Sequence, residues 1–321
     1  MEGLRIANIC PMNEETSEYL KTYGQSQGIA IETISFTGST RDELTKTLSG
    51  FDAVIAGGAE RYTGEVFQSL RKTLKAVCRF GAGYDNIDAE AARDNGIAVM
   101  IAGGGNSAAV ADHAIMLMLS LGRHICIYDR EMRQEIWSAP RVSVQLEGKT
   151  IGIIGFGRVG RILSQYLSGF GCLILAMDSY VGDAVMKKCG VHRADMDEIA
   201  RKSDYISLHA PYTPQTRDMI NSEFLQKMKP TAYIINTSRG GLINENDLIE
   251  ALRNGNIAGA ALDVFQNEPL GSSPLLSMDN VILSPHVAYN TREANLLTAR
   301  VTVDNLSSYL KTGVCEDIVN G

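Results

Sequence analysis

A chain of 321 residues exceeds what one hydrophobic core usually serves, so two domains are expected. With 45% hydrophobic and 21% charged residues it has the composition of a globular chain, with no biased tract to suggest a disordered tail. A net charge of -7 disfavours nucleic acid and anionic membrane surfaces as partners.

The chain opens on a strand-like Leu4–Ile9, without the basic segment, apolar run and cleavage site of a signal peptide. Further strands are read at Ile29–Phe36, Asp52–Ala56, Leu74–Phe80 and Ile97–Ile101. Helical stretches lie between them at Glu14–Gln25, Thr40–Leu48, Thr63–Leu70 and Ile87–Asn95. Apolar strands alternating with amphipathic helices indicate a parallel sheet covered on both faces, a domain of flavodoxin-like type. Gly103, Gly104 and Gly105 break the pattern, and Asn106 or Ser107 can cap an apolar helix reaching Arg123. That helix is expected to join the two domains and bury a face against each. Its most apolar part, Ala108–Leu121, is interrupted by Asp112 and His113 and is too short to span a bilayer. The segment His124–Leu146 is more polar and holds the only tryptophan, Trp137. It reads equally as an arm packing on a second subunit or as a surface excursion.

Past Glu147, strand Ile151–Ile154 runs into Gly155, Gly157 and Gly160, a G-x-G-x-x-G turn. A helix is read at Arg161–Phe170, with Ile162, Leu163, Tyr166 and Leu167 on its buried side; strand Leu173–Met177 and Asp178 follow. The first glycine allows the tight turn, the second lets backbone approach a pyrophosphate, and the third lets helix and strand pack closely. Asp178 can accept from both hydroxyls of an adenosine ribose and would repel a 2′-phosphate, which favours NAD over NADP. A lone glycine pattern is weak evidence, but strand, turn, helix, strand and acid in this order are specific.

Further strands at Tyr205–Leu208, Ala232–Asn236, Ala258–Val264 and Val281–Leu283 make six, as in the doubly wound dinucleotide fold. A ligand would lie across their C-terminal ends, where Asp178, His209, Arg239, Asp263 and His286 fall. A long helix, Thr291–Leu310, is expected to return to the first domain. The fold expected is α/β, with two doubly wound parallel-sheet domains. A Rossmann NAD-binding domain (103–289) is inserted into a flavodoxin-like substrate domain (1–102 plus 290–321), and the two crossings suit a hinge. The six cysteines, Cys10, Cys78, Cys126, Cys172, Cys189 and Cys315, are scattered without a C-x-x-C pair. No metal site or disulfide framework is indicated, and reduced cysteines in a cytoplasmic protein are expected.

Three residues at strand ends carry chemistry: Arg239 before Gly240-Gly241, Glu268 before Pro269, and His286 after Ser284-Pro285. Hydride transfer between a nicotinamide and a 2-oxo acid needs these types. A guanidinium holds the substrate carboxylate and polarises its carbonyl. An imidazole gives a proton to the developing alkoxide or takes one from the hydroxyl. A carboxylate on the other ring nitrogen orients the imidazole and favours its cation.

The chain resembles the D-isomer-specific 2-hydroxyacid dehydrogenases, the family of phosphoglycerate, glycerate and D-lactate dehydrogenases. The resemblance is carried by Arg79–Asp88, Asn106–His113, Gly148–Gly160, Asp204–Pro211, Ile235–Gly241, Ala258–Phe265, Asn267-Glu268-Pro269 and Ser284-Pro285-His286, in the family's order. It implies an NAD-dependent oxidoreductase with Arg239, Glu268 and His286 as catalytic residues. It implies backbone contacts from Arg158 and Val159 to the pyrophosphate, and places His209, Ala210 and Pro211 along the adenosine. Thr237, Ser238, Asp263 and Ala288 would flank the nicotinamide, with Asp263 accepting from its carboxamide. Gly81, Ala82 and Gly83 look like the loop that binds the substrate carboxylate through backbone N–H groups. Homodimers formed through the nucleotide domains are implied, and no C-terminal regulatory domain is expected. Asp112 stands where the family has Glu, Tyr84 where Val is commoner, and Tyr289-Asn290 where a small pair is commoner.

Arg79 and Arg61 are candidates for a second anionic group, which would suit 3-phosphoglycerate; a solvated or ion-paired arginine is the competing reading. Glycerate/hydroxypyruvate or a larger D-2-hydroxy acid stays open. The alternative function is a dinucleotide-sensing corepressor of the same fold that binds partner proteins and keeps the three catalytic residue types.

Overall fold

The computed structural model describes residues 4–38 and 40–321. The chain forms two compact units, Met1–Asn106 with Asn290–Gly321, and Ser107–Tyr289.

The first unit runs β1 (Arg5–Asn8), α1 (Glu14–Ser26), β2 (Ala30–Thr33), α2 (Arg41–Leu48), β3 (Ala53–Ala56), α3 (Gly64–Leu70), β4 (Ala76–Arg79), α4 (Ala89–Asp94) and β5 (Ala98–Ile101). The strands are parallel in the order β2-β1-β3-β4-β5, the flavodoxin-like arrangement. Period-two alternation sends Ala53 and Ile55 into one core with Ile6, Cys78 and Met100, while Val54 and Ala56 enter another with Val77 and Leu70. Continuous apolar strands are therefore what a sheet covered on both faces requires. Helix starts follow their caps. Asn13 Oδ1 accepts from Thr16 N at 2.8 Å, and Thr40 with Glu43 forms a capping box on α2. Strand β2 is shorter than the Ile29–Phe36 expected, because it lies at the edge and its pairing ends where β1 ends, at Asn8 opposite Thr33. The opposite edge is covered by the C-terminal residues: Ile101 N donates to Asp317 O, Val319 N to Val99 O, and Val99 N to Asn320 Oδ1.

The second unit runs α5 (Ser107–Arg123), α6 (Ile125–Arg133), β6 (Thr150–Ile154), α7 (Arg158–Ser168), β7 (Leu173–Met177), α8 (Asp183–Lys188), β8 (His192–Arg193), α9 (Met196–Lys202), β9 (Tyr205–Leu208), α10 (Ser222–Lys227), β10 (Tyr233–Asn236), α11 (Glu245–Arg253), β11 (Gly259–Leu262) and β12 (Val281–Leu283). The sheet has the order β12-β11-β10-β9-β6-β7-β8 and is parallel throughout. It is the expected doubly wound sheet with a seventh strand. Strand β8 is two exposed polar residues and carries no apolar signal. Helix α7 begins at Arg158 rather than Arg161, directly after the turn, and ends at Ser168. The buried face is the i, i+3, i+4, i+7 row of Gly160, Leu163, Ser164 and Leu167, so Tyr166, expected inside, lies off it and is 37% exposed, and Ile162 is only partly buried. Helix α5 has the expected bounds and packs on α7, β10 and β11. No single helix among the described residues is long and apolar enough to cross a membrane.

Helix α12 (Arg292–Thr312) belongs to the first unit again. Its Ala299, Val303 and Leu306 join the core of Ile6, Ile55 and Met100, and Tyr23 donates its hydroxyl to Asp304 at 2.8 Å.

Candidate active site

In the second unit every strand ends on the same edge, so the loops after β6, β7, β9, β10, β11 and β12 meet there. The three glycines of the turn have separate tasks. Gly155 has φ +94, and a Cβ on it would lie 2.5 Å from the His209–Ala210 backbone; one on Gly160 would lie 2.4 Å from Gly155 O. A Cβ on Gly157 would meet nothing within 4 Å, so room is left above the middle glycine, at the start of α7, where a pyrophosphate would sit. Arg158 and Val159 form the first turn of that helix. Asp178 ends β7, and its carboxylate is already engaged. Oδ2 accepts from Phe156 N at 2.7 Å, and Oδ1 from Tyr180 N and Val181 N at 2.8 and 3.0 Å. The acid thus ties the glycine turn to β7, with one lone pair of Oδ2 left for a ribose hydroxyl.

Ser238 donates to Ala210 O at 2.7 Å, which joins the loops after β9 and β10. Pro211 is exposed beyond them. The buried hydroxyl of Thr237 has no hydrogen-bond partner among the described residues, so a polar group of a ligand would satisfy it. The glycine turn, the free face above Gly157 and this hydroxyl fit a dinucleotide.

His209 bonds through Nε2 to Ser207 Oγ at 2.8 Å, and burial pushes its imidazole down to about 4 from an ordinary 6.5. Between those values the unfolded chain binds a proton that the folded chain refuses, so stability falls as the pH drops from 6.5 towards 4. The full loss is on the order of 3 kcal/mol. Denaturant midpoints at pH 7 and pH 5 should therefore fall less for His209→Gln than for the wild type. An equal fall in both would mean that this imidazole titrates alike folded and unfolded.

The three chemical residues sit on the loops after β10, β11 and β12. A Cβ on Gly240 would lie 1.9 Å from the carbonyl carbon of Phe265, so only glycine lets the chain after Arg239 lie against the loop carrying Glu268. Glu268 Oε2 accepts from His286 Nδ1 at 2.7 Å, and Oε1 from Phe265 N at 3.0 Å. Partial burial pushes the Glu268 carboxyl up, but the bonds from His286 and Phe265 and the charges of His286 and Arg239 outweigh it and hold the carboxyl below its ordinary range. An ionised Glu268 fixes the proton on Nδ1 and leaves Nε2 of His286 as the ring nitrogen that exchanges a proton. Arg239 Nη1 donates to Ser238 O at 2.7 Å, and the side chain is half-buried.

His286 has φ +53, a left-handed conformation that costs a non-glycine residue on the order of 1 kcal/mol. Several bonds hold it there. His286 N donates to Asp263 O at 2.8 Å and Ser284 O at 3.1 Å. The fully buried Asp263 carboxylate accepts from Ser284 Oγ at 2.6 Å, Val287 N at 2.9 Å and Ala288 N at 2.9 Å. His113 Nε2 lies 3.1 Å from Ser284 Oγ. These bonds make Asp263 the anchor of the histidine loop; a nicotinamide carboxamide would have to use its remaining lone pair on Oδ2. Tyr289 packs edge-on against His286 with ring centres 6.1 Å apart. The support from His113 and Ser284 is not assigned from the sequence, where both appear only within stretches that carry the family resemblance.

The remaining candidates lie in the first unit. Gly81, with φ +135, and Ala82-Gly83 follow β4. Arg79 is half-buried at the end of β4, with Nη1 donating to Phe80 O, whereas Arg61 is exposed. Glu60, beside Arg61, is buried and was not foreseen. No group of three or more His, Cys, Asp or Glu side chains suited to a metal ion occurs among the described residues.

Residues 115–288 match the family model for the D-isomer specific 2-hydroxyacid dehydrogenase, NAD binding domain. The chain is 36% identical over 312 residues to the D-3-phosphoglycerate dehydrogenase of Methanocaldococcus jannaschii, covering 97% of this chain and 58% of that one. It is 36% identical over 288 residues to the glyoxylate reductase of Pyrococcus furiosus, covering 87% and 85%. It spans about half the length of the phosphoglycerate dehydrogenases it matches, between 48% and 58%. The apo-structure of D-lactate dehydrogenase from Escherichia coli superposes with a TM-score of 0.83 at 31% identity, covering 98% of this chain and all of that one.

Proposed function

The chain belongs to the D-isomer specific 2-hydroxyacid dehydrogenase family, and on that premise we propose that it interconverts a D-2-hydroxy acid and its 2-oxo acid with NAD. The observation that carries the reading is the 2.7 Å bond from His286 Nδ1 to Glu268, with Arg239 close enough for its charge to act on the same carboxylate. NADH, when bound, supplies the hydride that C2 of the oxo acid accepts. Arg239 holds the substrate carboxylate and draws electron density towards the C2 oxygen. As the carbonyl π bond breaks, His286 Nε2 gives its proton to that oxygen; in oxidation it takes the proton back. Glu268 keeps the ring oriented and balances the imidazolium charge. Gly81, Ala82, Gly83, Arg79 and Arg61 are the substrate-contacting residues proposed in the first unit.

The test is steady-state NADH oxidation with 3-phosphohydroxypyruvate, hydroxypyruvate, glyoxylate and pyruvate. Turnover of at least one is expected; tight NADH binding without turnover of any favours a nucleotide sensor.

NAD is the preferred dinucleotide in this reading, because the Asp178 carboxylate would face a 2′-phosphate. Asp178→Ala should lower the ratio of NADH to NADPH affinity on the order of tenfold. It should weaken both somewhat, since Phe156, Tyr180 and Val181 lose their acceptor. Fluorescence titration with each dinucleotide measures the ratio, and an unaltered ratio removes Asp178 from discrimination.

A cytoplasmic homodimer completes the proposal. All six cysteines are free, as suits a reducing compartment. Helices α5 and α6 border a groove of about 840 Å³ lined by Ile115, Met116, Leu119, Ile125 and Tyr128. Close by in sequence, Trp137 and Val142 are 88% and 93% exposed, and such apolar exposure marks interaction surfaces. A sedimentation mass of one chain at micromolar concentration would contradict the dimer.

A further inference from the structure

The loop after β3 holds a carboxylate that the proposed chemistry does not use. Glu60 is only 8% exposed, and its Oε2 is buried without a hydrogen-bond donor among the described residues; the hydroxyl of Tyr62 is buried in the same condition. A buried carboxylate oxygen lacking a donor is costly unless something supplies one. The loop is built rather than slack. Asn86 Nδ2 donates to Gly57 O at 3.2 Å and Glu60 O at 2.7 Å, and Tyr62 N donates to Asn86 O at 2.9 Å.

Arg79 faces the same place. A Cβ on Gly57 would lie 3.0 Å from both carboxylate oxygens of Glu60, and one on the adjacent Gly58 would lie 3.0 Å from Arg79 Nη2. A Cβ on Gly81 would lie 3.5 Å from Arg79 Nη1. The guanidinium therefore reaches from the loop holding Glu60 to the Gly81 loop. The two charges also act in opposite senses on shared neighbours. Burial pushes the Cys10 thiol up to about 11, with Arg79 lowering it and Glu60 raising it, and burial pushes the Tyr62 hydroxyl up with the same two opposed influences. Cys10, Glu60 and Arg79 stand at the C-terminal ends of β1, β3 and β4. The strand order reverses between β1 and β3, which is where open α/β sheets bind ligands.

We propose that Glu60 and Arg79 form a mixed-charge subsite that takes the far end of the substrate, selecting an uncharged tail that both donates and accepts hydrogen bonds and rejecting a phosphorylated one. The inference rests on the proposed reaction and on the Gly81 loop as a substrate contact. Arg79 alone would attract a phosphate dianion. The Glu60 carboxylate, on the loop that the guanidinium reaches, repels the same dianion, and a desolvated like charge is an effective means of exclusion. A hydroxyl can instead donate to Glu60 Oε2 and accept from Arg79, which satisfies the oxygen that the described residues leave bare.

The experiment compares kcat/KM for hydroxypyruvate and 3-phosphohydroxypyruvate, with NADH, in the wild type and in Glu60→Gln. The wild type should prefer hydroxypyruvate. Glu60→Gln, which keeps the shape and removes the charge, should shift the ratio at least tenfold towards the phosphorylated substrate. Inorganic phosphate should inhibit Glu60→Gln competitively at concentrations that leave the wild type unaffected. A wild-type preference for the phosphorylated substrate, or an unchanged ratio in a folded Glu60→Gln with no gain in phosphate inhibition, overturns the subsite. No turnover of any oxo acid by the wild type overturns the reaction itself and this inference with it, and so is distinguishable from a failed ratio.

Discussion

Replacing His286 with alanine should lower kcat by about a thousandfold, within the 10²–10⁴ range of a positioned general acid, while NADH binds as before. The side chain is 40% exposed on the loop after β12, and its imidazole contacts the protein through Glu268 and Tyr289. Neither the glycine turn nor Asp178 depends on it. The loop itself should survive, because its shape is set by main-chain bonds to Asp263 and Ser284 rather than by the ring. Alanine lacks histidine's several-fold enrichment in the left-handed region, so the substitution adds a small backbone cost that those bonds must absorb. Stopped-flow absorbance at saturating oxo acid gives the rate, and fluorescence titration gives the NADH affinity. A kcat within threefold of the wild type would remove His286 from proton transfer. Glu268→Gln is the companion: its amide oxygen can still accept from Nδ1, but the charge is gone and the second acceptor, the one that Phe265 N uses, is replaced by an NH₂ group, so the rate should fall while NADH binding holds.

The scaffold was readable because its signals are periodic and local. Both parallel sheets follow from apolar runs separated by amphipathic helices, and the glycine turn with Asp178 marks its own place on the second. The misses have physical reasons. β8 is two polar residues paired only by backbone and writes no pattern, while α6 is amphipathic but short and buries none of its residues in this chain. The start of α7 was read a turn late because Arg158 and Val159 belong at once to the glycine turn and to the helix. Asp263 and Glu60 show a deeper limit. Residue type and strand-end position mark an acid as notable, but its task is set by which N–H and O–H donors fold back on it. For Asp263 these come from 21 to 25 residues away. For Glu60 what matters is a donor that no described residue supplies.

Arg239→Ala should have the other large effect and a different signature. The guanidinium is assigned both to holding the carboxylate, which substrate and transition state share, and to stabilising charge on the C2 oxygen, which only the transition state develops. Its loss should therefore raise KM by about tenfold or more and lower kcat by about 10²–10³. Arg239→Lys should recover little, because an ammonium restores the charge without the planar fork that grips two oxygens. The backbone at this point should be kept, since the close approach to Phe265 is made by Gly240 rather than by the arginine side chain. A second effect follows from the charge. Arg239 is one of the groups holding the Glu268 carboxyl below its ordinary range, so removing it lets that carboxyl rise. Glu268 would then protonate at a higher pH, and the acid limb of the residual kcat should move upward. A rise in KM with kcat unchanged would reduce Arg239 to a binding residue; a lowered rate with an unmoved acid limb would mean that its charge does not reach the His286–Glu268 pair during turnover.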